Sequence, residues 1–208
     1  SSQAEISTWI LFYAGILGVA FGSVYYHMKP DNNRVLWDTL PVDSGGSTAR
    51  PARALVQALM MVAYSSLFSS LVVERIGQRI GLGCMCALLF AAFTCIVYER
   101  IYDDIRLCLM FQLILPLAIA AVAYMYPSNY THSTYWFSSI GIYLLAKLEA
   151  VSDKKLYRAN NYVISGHSLE HVCLALIPFL LSVMLICRER KFKRYLMMVI
   201  LDGLFSFM

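Results

Sequence analysis

The sequence predicts an all-α fold, a polytopic transmembrane helical bundle, and three observations predict it. Of the 208 residues, 59% are hydrophobic and 14% are charged, whereas an ordinary soluble domain carries about 25% charged residues. The apolar residues are gathered into six runs that approach the roughly 20 residues a helix needs to cross a bilayer. The charged residues fall mainly in short clusters between those runs. Transmembrane β-strands are excluded because the runs are continuously apolar, while barrel strands alternate and span about 9–11 residues. Six crossings consume about 120 residues, which leaves no room for a separate soluble domain. One bundle over residues 1–187 is therefore expected, followed by a tail over residues 188–208.

The elements follow in order from their flanks, since charges, Pro and Asn bound each run. The first runs from Thr8 to about His27 and stops before Lys29-Pro30-Asp31. The second covers about Leu55 to Val73 and ends at Glu74-Arg75. The third is Ile80 to Tyr98, the fourth Leu107 to Tyr126, and the fifth Tyr135 to about Val151. The sixth covers about Ser165 to Cys187 and ends at the basic cluster RERKFKR.

Two segments depart from this pattern of spans and short loops. Val42 to Leu59, containing DSGGSTARPAR, is rich in Gly, Ser, Ala and Arg and is expected to form a flexible insert outside the membrane. Beyond RERKFKR, the stretch YLMMVILDGLFSFM holds Asp202, and its final part is too short to span; an interfacial segment or a poorly ordered tail is expected. No basic region precedes the first run, so no signal peptide is expected.

The net charge of +4 is small and partly carried by the tail, so it bears on membrane topology and not on nucleic acid. Lys and Arg are nearly balanced between the two faces. The density of RERKFKR beside the sixth run favours a cytoplasmic C-terminus. The six cysteines lie mostly within apolar runs, where they act as small apolar fillers and imply no disulfide framework.

Ionisable side chains at membrane depth are costly, so each calls for a partner or a function. Ser23 and His27 are four apart near the end of the first run, and His167 and His171 are four apart near the start of the sixth. Residues four apart lie on one helix face, and paired imidazoles in that relation can hold one metal ion. Four crossings separate the two pairs, so an even count returns the chain to the same membrane face. Three imidazoles and a water form the ligand set of a catalytic zinc. Asp38 follows the first run closely enough to share that face, where an acid can accept a proton or orient a ligand.

Plainer readings exist for each residue. Histidines at helix ends serve as interfacial side chains, a serine bonds the carbonyl one turn back, and Tyr25, Tyr26 and Trp37 suit an aromatic belt. His132 reads as a surface residue. Lys147 and Glu149 are two apart and cannot pair along a helix, so they snorkel or meet a neighbouring helix.

The runs FGSVYYHMKPDNNRVLWDTLP and LAKLEAVSDKKLYRANNYVISGHSLEH carry a more specific pattern. They resemble the alkaline ceramidase family and the membrane-hydrolase superfamily that includes the progestin and adiponectin receptors. The family signature is a serine four residues before a histidine, an aspartate fifteen residues after that serine, and His-x3-His opening the last helix. Ser23, His27, Asp38, His167 and His171 match all five positions. The resemblance implies a zinc ion held by His27, His167 and His171, with Ser23 and Asp38 as catalytic residues. It further implies hydrolysis of the amide bond of ceramide, or a related N-acyl sphingolipid, to a fatty acid and a sphingoid base. For a eukaryotic chain it implies residence in the endoplasmic reticulum or Golgi.

The chain departs from the family in three respects. The resemblance implies seven helices, of which six are present, and the first run matches the family's second helix, so a preceding helix is expected to be missing. The acidic calcium-binding segment of alkaline ceramidases is expected to be missing with it. In the family the Trp-Asp-x-x-Pro stretch continues directly into a helix, whereas here Val42 to Leu59 intervenes. Rival readings are a non-enzymatic receptor-like member of the superfamily with a structural zinc site, a haem-binding bundle with axial histidines, and a purely structural membrane protein.

Overall fold

The computed structural model describes residues 3–28, 49–128, 130–153, 158 and 166–189, with side chains described at these positions apart from 23–28, 49–54 and 167. Among the described residues six α-helices follow one another: α1 (Gln3–Met28), α2 (Ala49–Arg75), α3 (Gln78–Tyr102), α4 (Arg106–Met125), α5 (Thr134–Val151) and α6 (Gly166–Cys187). The fold is the all-α bundle that the apolar runs predict. Five helices are long and apolar enough to cross a membrane, with spans Gln3–Gly22, Leu55–Arg75, Gln78–Tyr102, Arg106–Met125 and Ser168–Cys187. The sixth, α5, is 18 residues long, and Lys147, Glu149 and its Thr-Tyr-Trp opening dilute its apolar character.

The helix ends coincide with the charged and Pro-bounded flanks to within a few residues, except at the start of α1, which begins at Gln3, five residues before Thr8, and at the start of α2. The segment expected to be a flexible insert is helical from Ala49 onward. Its Ala and Arg residues are good helix formers, and Pro51 falls in the first turn, where no amide donor is needed. Leu59, the last residue of the expected insert, lies against α1. A Cβ added at Gly15 would meet the Leu59 carbonyl oxygen at 3.0 Å, and one at Gly18 would meet Leu59 Cδ1 at 2.8 Å. The tail beyond Glu189 and residues 29–48 lie outside the described residues.

The chain forms two compact units, Ser1–Val122 and Ala123–Met208. In the first, α1 and α2 pack antiparallel, with Gly15 and Gly18 allowing the backbones to approach closely. α2 is the central helix: Met61, Ala63, Leu67, Leu71 and Val72 are all buried. Gly77, at φ 147°, turns the chain directly into α3, a conformation that only glycine adopts at low cost. Asp104 opens α4 by accepting a hydrogen bond from the Arg106 amide at 2.9 Å. Met61, Ala92 and Cys108 then join α2, α3 and α4 in one apolar cluster with Ile96 and Phe111. A side-chain contact between Gln57 and Gln112 ties α2 to α4 as well.

Unit 1 buries several polar residues on its helices, as is common where membrane helices pack closely. Ser65, Ser66, Ser69 and Ser70 on α2 are fully buried. Two of them bond their own helix, Ser66 to the Val62 carbonyl at 2.6 Å and Ser70 to the Leu67 carbonyl at 2.8 Å. Such back-bonding satisfies a hydroxyl in an apolar surround without a second helix. Glu99 on α3, also buried, accepts a hydrogen bond from the Cys108 thiol at 3.5 Å.

In the second unit α5 and α6 pack along their lengths. Trp136, Tyr143 and Ala146 of α5, with Leu181 and Met184 of α6, are buried. The start of α5 is joined to the end of α6: the Thr131 amide donates to the Glu189 carbonyl at 2.9 Å, and the Glu189 amide donates to Thr131 Oγ1 at 3.0 Å. The Arg188 guanidinium stacks over the Tyr130 ring at 4.7 Å. Pro178 sits inside α6 and is accommodated as in other membrane helices; its carbonyl accepts the Ser182 hydroxyl at 2.7 Å.

Candidate functional site

The five candidate residues divide between the two units. Ser23 and His27 occupy successive turns of the last part of α1, whose backbone is helical through Met28. His167 and His171 occupy successive turns at the opening of α6. At 1.5 Å of rise per residue, four residues advance about 6 Å, the separation at which two side chains on one face can reach a common ion. Each pair is thus held together by its own helix. Asp38 lies outside the described residues, as do the side chains of Ser23, His27 and His167.

The first residue of α6, Gly166, lies deep against α5. Gly166 is buried, and a Cβ placed there would collide with the Glu149 carbonyl oxygen and come within 2.8 Å of Asp153 Cα. The helix carrying the two histidines is therefore seated on α5 backbone at its first residue.

Charged side chains surround the next turn. Lys147 Nζ of α5 lies 2.7 Å from Glu170 Oε1 of α6, an ion pair whose side chains are 30% and 12% exposed. The same ammonium is 5.7 Å from the centre of the Tyr143 ring, within the range of a cation–π contact. Glu149 Oε2 accepts a hydrogen bond from the Cys173 thiol at 3.3 Å. Lys147 and Glu149 both meet a neighbouring helix, one of the two outcomes that their spacing allows. Sequence spacing cannot reveal that Glu170 is the partner, because the pairing depends on how α5 and α6 lie together.

His171, one position beyond Glu170 on α6, is half-buried. His132, by contrast, is exposed in the turn before α5 with φ 63° and meets Tyr135 edge-on at 6.3 Å. It is the surface residue that its polar loop suggests.

The donor set tests the fit to zinc. Imidazoles on successive turns of one uninterrupted helix are chemically suited to Zn²⁺, which prefers nitrogen and sulfur donors. The continuous helical backbone from Gly166 to Cys187 keeps that relation intact, and no proline or glycine interrupts it between positions 167 and 171. Among the described residues, no group of three or more His, Cys, Asp or Glu side chains is arranged to hold a metal ion. Comparison of the chain with protein-family models, with curated proteins and with solved structures finds no match.

Proposed function

We propose that the protein is a zinc-dependent membrane amidase that hydrolyses the amide bond of ceramide or a related N-acyl sphingolipid. The observation that carries this reading is the recurrence of one arrangement at two helix ends: a polar pair four residues apart at the end of α1, and an imidazole pair four residues apart at the start of α6. The third element, Asp38, completes the spacing of the ceramidase signature. The apolar spans supply the setting, since a lipid with long hydrocarbon chains reaches an enzyme most readily from within the bilayer.

In this reading His27, His167 and His171 hold the ion. When bound, zinc lowers the pKa of water and polarises a carbonyl oxygen. The chain's own residues supply the remaining chemistry. The Ser23 hydroxyl donates a hydrogen bond to the amide oxygen as negative charge develops on it. Asp38 accepts the proton of the attacking water and delivers it to the departing nitrogen. Water adds to the acyl carbon, the C–N bond breaks, and the products are a fatty acid and a free sphingoid amine.

Turnover separates this reading from the receptor-like alternative. Zinc-loaded chain in detergent is expected to release fatty acid from a ceramide, and Ser23→Ala is expected to keep its zinc while losing about 10²–10³ in rate, the usual cost of one oxyanion donor. Zinc-loaded native chain that releases no fatty acid from ceramides of short or long acyl chain would sink the amidase reading and favour a structural or sensing metal.

A further inference from the structure

Glu170 lies between the two imidazole positions of α6, and its carboxylate pairs with Lys147 of α5. On an α-helix, position 170 is about 60° around the axis from position 167 and about 100° from position 171. A side chain pinned at 170 therefore resists rotation of the turn that carries both histidines. The pin is the 2.7 Å ion pair to Lys147, itself held beside the Tyr143 ring.

Two further contacts bracket the same turn. Gly166 seats on the Glu149 carbonyl and Asp153 Cα, which fixes the distance between helices immediately before His167. Cys173 donates its thiol hydrogen to Glu149 Oε2 immediately after His171. At the other end of the pair, the exchange between Thr131 and Glu189 opposes sliding of α6 along α5. These contacts bear on the separation and axial position of the two helices, and the ion pair at 170 lies within the histidine-bearing turn, where it opposes rotation.

We propose that α5 is the positioning helix of the histidine pair and that the Lys147–Glu170 ion pair sets the rotation at which positions 167 and 171 are presented. This inference rests on the zinc reading above. Neither Lys147 nor Glu170 touches substrate or ion in it; they act through α6. Groups that orient metal ligands typically govern metal affinity by roughly 10- to 100-fold, and the ion pair acts in that sense through the helix backbone.

The test is zinc affinity by chelator competition on the full chain in detergent, together with the thermal midpoint of the zinc-free chain. Lys147→Met and Glu170→Gln are expected to weaken zinc binding roughly 10- to 100-fold, and the reversed pair Lys147→Glu/Glu170→Lys is expected to recover most of the loss. A merely structural role would lower the zinc-free midpoint and leave the affinity of the folded fraction unchanged. Glu170→Asp, which keeps the charge but withdraws it by one methylene, gives the same reading if the neutral variants do not fold. Native affinity in the folded single variants, or a loss that charge reversal does not recover, overturns the inference while the zinc reading stands. Absence of zinc binding by the native chain overturns both.

Discussion

Lys147 on α5 and Glu170 on α6 form an ion pair with 2.7 Å between Nζ and Oε1, at the turn of α6 that carries His167 and His171. Charged side chains within membrane helices are costly and persist where they pair. This pair satisfies two charges at once and does so beside the only two histidines of the chain that are four residues apart. It links a packing feature of the second unit to the chemistry proposed for its helix.

The contact at Gly166 makes a stability prediction. Ala in its place gains helix propensity worth up to about 1 kcal/mol, but its Cβ meets the Glu149 carbonyl oxygen and Asp153 Cα, both backbone atoms that cannot turn aside. Overpacking of this kind costs about 1–3 kcal/mol. Gly166→Ala is expected to be destabilised overall, and Gly166→Val more so, in denaturant titration of the detergent-solubilised chain. Native stability in both variants would show that α6 does not sit against α5 as described.

Three glycines around the α2–α3 turn respond for different reasons. Gly77 has open space for a Cβ but stands at φ 147°, so Gly77→Ala is expected to cost about 1–3 kcal/mol through its backbone alone. At Gly81 a Cβ would collide with the Val73 side chain and lie 2.9 Å from its amide nitrogen; Gly81→Ala is expected to lose about 1–3 kcal/mol by overpacking. Gly83 has neither constraint, with nothing within 4 Å, so Gly83→Ala is expected to be neutral or to gain up to about 1 kcal/mol. Thermal unfolding of the three variants in one detergent checks the order, and a destabilised Gly83→Ala would contradict the packing of α3.

The apolar runs and their flanks made the helices legible, because Lys29-Pro30, Glu74-Arg75, Asp103-Asp104 and Pro127 stop or separate them through charge and backbone geometry alone. The start of α2 was not legible. The stretch from Ala49 to Ala54 mixes strong helix formers with Pro51 and follows Gly45-Gly46, and its helicity is favoured by continuity with a buried helix that local composition does not register. The candidate residues were legible as two pairs, since a spacing of four is a property of one helix. What joins a pair to its surroundings was not: Lys147 and Glu170 are 23 residues apart, and Gly166 is indistinguishable from a helix-opening glycine until Glu149 is seen against it.

The most direct measurement is the zinc content of the purified native chain beside His167→Ala and His171→Ala, by elemental analysis after exchange into metal-free buffer. The account predicts about one zinc per native chain, as in a three-imidazole site, and close to none in either variant, because removing one of three ligands collapses the affinity. Zinc retained at the native level by both variants, or a native chain that takes up none, would contradict it.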